Sequence, residues 1–274
     1  MDRINTSPSS ELTALLETFS IPDAPKLAAY NAFSPQYRTV IKQAIALTAW
    51  RFQTCKHTLM PSFEQREVAT RIISQHQDLD FSLKRQPLDW VTIILDANYQ
   101  ATARLTALAC LCVLTGVEQI YVLFVDTQDP QPNLLLSLEL CGIEECLQLP
   151  STAVANFLSY LKGYGGLIYL TKPLPLLEET PILFQESKPP CICVEDADLF
   201  STDLITFLHG SVTLETELSS ATDLLLCSQE AAAKFLKSQI LPHLLILTPN
   251  TVGYWRYQHL TVDTFCLTQE VLVK

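Results

Sequence analysis

The apolar positions divide the chain into regions of different rhythm. Residues 1–27 are polar and broken by Ser and Pro, around "TSPSS" and "SIPDAPK". In "SPQYRTVIKQAIALTAWRFQTCKHTL", Val40, Ile41, Ile45, Ala49 and Phe52 recur at helical spacing. Ser34 is placed to cap that helix, Pro35 to open it and Pro61 to end it. "SFEQ" has the look of a capping box, so a second helix is expected to start near Ser62.

From residue 90 the period alternates. "VTIIL" and "IYVLFV" are short β-branched runs, and "ATARLTALACLCVLT" between them is apolar on most sides, as a helix pressed against a sheet must be. Pro130 and Pro132 open "NLLLSLEL", which stops at Gly142; "ECLQL" reads as a strand, "STAVANFLSYL" as a helix and "GGLIYL" as a strand. The proline-studded segment from Thr171 to Pro190 reads as irregular. "CICVED", "DLLLC" and "HLLIL" are further strands, with helices over 202–217 and 229–238. The rhythm predicts an α/β fold with a mostly parallel, doubly wound sheet, helices on both faces and a helical N-terminal region.

Composition narrows the picture. With 48% hydrophobic and 17% charged residues, the chain can bury a core and is not a disordered segment. Its net charge of −11 leaves no basic face for nucleic acid. The start "MDRINTSPSSEL" has no signal-peptide pattern, and the apolar run near 105–114 is too short to cross a bilayer. The nine cysteines lie mostly inside apolar runs, where reduced thiols pack as small hydrophobes, so a reducing, cytoplasmic setting without membrane attachment is expected. Seven glycines in 274 residues fall far below the ~7% average. Phosphate loops and oxyanion nests draw on glycine, and the first strand-to-helix turn, "LDANYQATA", has none.

Taken in order, several segments resemble the histidinol dehydrogenase family of NAD-dependent zinc enzymes. They are "AIALTAWRF", "RQPLDWVTIIL", "GVEQIYVLFV", "LELCGIEECLQLPSTAVANFLSY", "CICVED", "TPNTVGYW" and "LTVDTF". The likeness runs from about residue 28 to 274 in a chain expected to be much shorter than the family enzyme. It implies two lobes: residues 28–88 together with 190–255 in one, 89–189 in the other, and 256–274 as a C-terminal segment. It also implies a cleft between the lobes and dimers that exchange their C-terminal tails.

The family's functional residues are missing where the resemblance places them. Its Pro-Gly-Gly turn falls on Asp96, Ala97 and Asn98, and its Gly-Gly-Ala-Gln turn on Pro150, Ser151, Thr152 and Ala153. The glutamine and histidine zinc ligands fall on Leu214 and Glu217 in one register, and on Ser211 and Leu214 in another. The aspartate ligand is replaced by Tyr254, the last histidine ligand would lie beyond Lys274, and the catalytic Glu-His pair has no counterpart. The expectation is therefore a histidinol dehydrogenase-like protein without zinc, NAD or catalytic residues, acting in binding or assembly. Two alternatives stay open: an enzyme of altered chemistry in the same cleft using His209, Glu217 or Tyr254, or a regulatory partner of a full-length dehydrogenase. A homodimer or a mixed dimer fits either.

Other residues invite weighing. His209 and Glu217, two turns apart on the expected helix, would need a third group to hold a metal. His243 is a lone histidine at a strand start. Cys191 and Cys193 alternate across a strand, which suits packing and not a shared metal; Cys110 and Cys112 are read as helix core. Asp198 is expected to cap a helix. Gly165 and Gly166 precede no helix N-terminus, so a phosphate role is not expected. Trp255, Tyr254 and Tyr257 read equally as a binding patch or as packing.

Overall fold

The computed structural model describes residues 10–56, 69–76, 79–172, 174, 180–186, 188–238 and 243–273. Three helices come first, α1 (Ser10–Phe19), α2 (Asp23–Ala32) and α3 (Pro35–Lys56). An antiparallel pair follows, β1 (Ala69–His76) and β2 (Leu79–Pro87). The alternating region then runs β3 (Trp90–Asp96), α4 (Thr102–Thr115), β4 (Gln119–Val125), α5 (Pro132–Cys141), β5 (Glu145–Leu149), α6 (Ser151–Ser159), β6 (Gly165–Tyr169) and β7 (Ile182–Gln185). A second alternation comprises β8 (Ile192–Val194), α7 (Thr202–His209), β9 (Leu214–Glu215), β10 (Leu224–Leu226), α8 (Gln229–Ser238) and β11 (Leu245–Leu247). The last strand, β12 (Cys266–Val273), returns to pair antiparallel with β2.

The strands form two parallel sheets, ordered β5-β4-β3-β6-β7 and β11-β10-β8-β9, and an antiparallel sheet β1-β2-β12. The fold is thus α/β with parallel sheets. In the first sheet the order reverses at β3, and the crevice between the carboxyl ends of β3 and β6 is where such sheets take ligands. Alternation sorts β3 onto both faces: Val91, Ile93 and Leu95 enter the core beneath α4 and α5, while Trp90 and Ile94 enter the core shared with α1 and α6. The edge at β5 is covered by the chain's own start, with Ile21 N–H donating to Cys146 O at 2.8 Å.

Helix α4 is buried on nearly all sides, from Thr102 through Cys110 and again at Cys112 and Thr115. Leu105 and Leu108 join the first sheet's core. Ala103 packs instead with Ile192, Leu224 and Leu247 of the second. One helix thereby holds the two sheets together.

Two sequence expectations need correction. The segment 182–185 is strand β7 and not irregular chain, because its backbone pairs in parallel with Leu167 to Tyr169 of β6. The helix expected over 202–217 ends at His209: Gly210 takes φ +75°, with its N–H on Thr206 O, and β9 begins four residues later. The helix start expected at Ser62 and the stop at Pro61 lie outside the described residues, and the chain is already strand by Ala69. The antiparallel sheet was not anticipated at all.

Gly165 and Gly166 serve close packing. A Cβ on Gly165 would lie 2.1 Å from the Trp90 ring, and one on Gly166 2.5 Å from Leu183 Cγ. Gly165→Ala should therefore lower stability by about 1–3 kcal/mol through overpacking, read as an earlier urea midpoint with an unchanged slope.

Candidate functional site

Two places could carry function: the carboxyl edge of the first sheet and the polar seam between the two parallel sheets. At the edge, the turn after β3 spends its donors internally. Asp96 Oδ1 accepts the Asn98 N–H at 2.9 Å, and Tyr99 N–H reaches Asp96 O at 3.2 Å. Asp96 Oδ2 accepts the Thr171 hydroxyl and so ties the end of β3 to the chain leaving β6, across the topological crevice. At the start of α4, Thr102 Oγ1 donates to Phe207 O at 2.7 Å, and Asn133 Nδ2 donates to Gln100 O at 3.1 Å and to Thr102 Oγ1 at 2.8 Å. At α6, Pro150 lacks an N–H and the Ser151 N–H is taken by Asp126 Oδ1 at 2.9 Å. Asp126 holds φ +51° to do so, a conformation that a short polar side chain tolerates better than others.

Phosphate binding draws on helix N-terminal donors and close backbone approach; at this edge the Asn98 and Ser151 N–H groups are taken by Asp96 and Asp126. Among the described residues no group of three or more His, Cys, Asp or Glu is arranged to hold a metal ion.

The seam joins residues far apart in sequence. Arg104, in the first turn of α4, donates from Nη1 to Glu186 Oε1 at 2.8 Å, just past β7. Its guanidinium lies 5.6 Å from the Tyr99 ring centre, and Tyr257 Oη donates to Arg104 O at 3.3 Å. His209 closes the far side, edge-on to Trp255 at 6.0 Å between ring centres, and Trp255 meets Tyr257 at 6.3 Å. His209 is only 1% exposed. Burial, followed by the nearby Arg104 charge, pushes its pKa from 6.5 down to about 3, so the ring is neutral at ordinary pH. Burial raises the Glu186 carboxyl, against the pull of Arg104, and raises the Tyr99 and Tyr257 hydroxyls.

The sequence candidates separate. His209 sits in the seam, but Glu217 is exposed beyond β9, so the pair does not share a helix and does not converge. Tyr254 accepts from Arg51 Nη1 at 3.0 Å, an anchor to α3. Trp255 and Tyr257 pack within the core around the seam. His243 accepts a hydrogen bond at its backbone carbonyl from Gln258 Nε2, which is a chain-to-chain tie. Asp198 is exposed and makes no helix cap among the described residues; α8 is capped by Ser228, whose Oγ accepts the Ala231 N–H at 3.2 Å while its own N–H goes to Asp196 Oδ2 at 2.9 Å. Cys193 is core and Cys191 partly exposed before β8; burial holds the thiols of Cys146 at about 12 and of Cys227 at about 11, which keeps them poor nucleophiles. Arg104, Glu186 and Tyr99 were not singled out from sequence, although Arg104 is the lone charge in α4.

This arrangement has the architecture of a dehydrogenase-like α/β fold. A histidinol dehydrogenase from Elizabethkingia anophelis superposes with a TM-score of 0.56 at 9% identity, covering 99% of this chain and 86% of that one. A benzaldehyde dehydrogenase from Corynebacterium glutamicum aligns with a TM-score of 0.34 at 13% identity, over 85% of this chain and 58% of the other. No family model matches the sequence. No curated protein matches it. The likeness is one of fold, and the described residues include no helix long and apolar enough to cross a membrane.

The depressed His209 pKa fixes a sign. The unfolded ring binds a proton near 6.5 and the folded ring only near 3, so acidification through that window favours unfolding. The His209 contribution should fall by up to ~1.4 kcal/mol per pH unit there. Glu186, with its raised carboxyl, acts in the opposite sense. Urea midpoints of wild type and His209→Leu across this range should therefore converge on acidification; a constant difference between them would contradict the burial of a neutral ring.

Removing one member of the buried ion pair leaves a charge unpaired. Glu186→Gln or Arg104→Met should each cost about 3–5 kcal/mol. The double variant should recover much of that loss in equilibrium unfolding.

Proposed function

We propose that this chain is a distant, degenerate histidinol dehydrogenase-like protein that works without zinc, NAD or the family's catalytic residues, in binding or assembly. The observation that carries this is the closed carboxyl edge: Asp96 and Asp126 hold backbone donors that phosphates would otherwise take, and Thr102 is turned to Phe207. Drift that fills a ligand site while keeping both sheet cores leaves a scaffold useful for something else. The two lobes on this reading are residues 28–88 with 190–255 and residues 89–189. A reducing, cytoplasmic setting suits its buried free thiols, and a homodimer or a mixed dimer with a related dehydrogenase would give the scaffold its use.

The test combines turnover with stability. Histidinol, NAD and zinc together should yield no NADH. Neither NAD nor zinc should raise the melting temperature, because a ligand specific to the native state must stabilise it by mass action. Sustained turnover, or a saturable rise with NAD, would overturn the reading.

A further inference from the structure

Two cysteines from neighbouring helices meet where α4 packs on α5. Cys141 is the last residue of α5, and its Sγ lies 3.9 Å from the Thr106 carbonyl oxygen of α4. Within a helix the Thr106 carbonyl faces the amide of Cys110, one turn on, so Thr106 and Cys110 share a face of α4. The Cys141 thiol meets the Cys110 thiol on that face. Their hydrogen bond, followed by burial, holds the Cys141 pKa well above the usual thiol range. Cys112 lies two residues on, roughly 200° around the helix, and packs with Leu105 and Leu108 into the first sheet's core.

Access differs between the two thiols. Cys110 is buried, whereas Cys141 is partly exposed at a helix end, where Gly142 turns the chain at φ +73°. A small oxidant in solvent therefore reaches Cys141 first, and the second thiol is already in contact with it. Closing the bond requires the two sulfurs to draw in to about 2.05 Å, and a side chain in the last turn of a helix has room to rotate. The place of the pair gives such a bond its effect. Asn133, at the start of α5, already holds the start of α4 through Thr102; a second tie at Cys141 would fix the other end of α5 to the same helix.

We propose that Cys110 and Cys141 form a reversible disulfide latch between α4 and α5, closed by hydrogen peroxide and opened by a dithiol reductant. In the first step the Cys141 sulfur takes one peroxide oxygen and becomes a sulfenic acid, and water leaves. The Cys110 sulfur then displaces that oxygen, which departs as a second water. The two thiol hydrogens join the two hydrogens and two oxygens of peroxide, and two electrons pass from the sulfur pair to the oxidant. A dithiol returns those electrons and is itself oxidised to a disulfide. Because the thiolate is the reacting form, the raised Cys141 pKa makes closure slow at neutral pH, so the latch answers sustained oxidation. It concerns the α4–α5 contact and not the carboxyl edge. NAD binding would therefore refute the proposed non-catalytic role and leave the latch standing.

The test treats the reduced full chain with hydrogen peroxide under native conditions, then maps cysteines by mass spectrometry after digestion without reduction. The expected product is a linked Cys110–Cys141 peptide pair, two hydrogens lighter than its reduced parts and separated again by dithiothreitol. The bond closes a loop of about 30 residues, so the melting temperature of the oxidised chain should rise by roughly 3–10 °C. Cys141→Ser, at the more exposed of the two positions, should lose both the link and the rise. Sulfinic acid at Cys141 beside a reduced Cys110 would overturn the proposal. So would two thiols that stay free, a link from either to a different cysteine, or a linked chain that melts no higher than the reduced one.

Discussion

The structure turns on the position of α4, a helix buried on nearly every side because two parallel sheets share it. A helix at the edge of a doubly wound sheet can offer its N-terminal amides to a ligand. A helix wedged between two cores cannot, because its first turn is where the second unit docks. Thr102 meets the end of α7 through Phe207, and Asn133 of α5 clamps the same turn. The Thr102 hydroxyl at the start of α4 thus serves as the joint between the sheets. The price is a charged side chain, Arg104, carried into the interior and matched there by Glu186.

From that joint the remaining features follow in physical order. A buried guanidinium calls for a buried carboxylate, and His209 stays neutral first because it is buried and then because the Arg104 charge repels its proton. Tyr99, Trp255 and Tyr257 surround the pair with aromatic surface and a few polar tips, which suits an interior that is polar without being open. At the sheet's carboxyl edge, Asp96 and Asp126 supply the negative charge that a phosphate would bring in a nucleotide-binding relative, and they bond the same kinds of donor. The absence of glycine from "LDANYQATA" has its explanation here, since nothing needs to approach that backbone closely.

Much of this was legible in the residues. The strand runs at 90–96, 119–125 and 145–149 and the helices between them announced themselves by apolar run length and by Gly142 and Pro132 at their ends. What the pattern hid were elements defined by distant partners. Strand β7 lies in proline-rich sequence and exists because β6 offers it an edge. The antiparallel sheet is completed by β12, nearly two hundred residues beyond β2 along the chain. Helix α7 was overextended because Val212 and Leu214 continue its apolar spacing, whereas the backbone freedom of Gly210 ends it. The seam was half visible. His209 drew notice, but as a partner of Glu217 along a helix that does not reach that far. Arg104 carried the better signal, a single charge in an otherwise uncharged buried helix, which must find a counter-charge somewhere in the fold. Glu186, its partner, lay in a stretch that periodicity could not read.

The central claim is that the turn after β3 and the start of α4 form a closed joint and not a vacant ligand loop. Amide hydrogen exchange on the chain without added ligand tests this most directly, by reporting the protection of Asn98, Tyr99 and Thr102. If their N–H groups are held by Asp96 and Gln100, the buried Tyr99 and Thr102 should exchange as slowly as the amides of the central strand β3, and the exposed Asn98 should still be protected though less strongly. Rapid exchange at all three, with β3 still protected, would mean that the turn is open to solvent and would contradict the account.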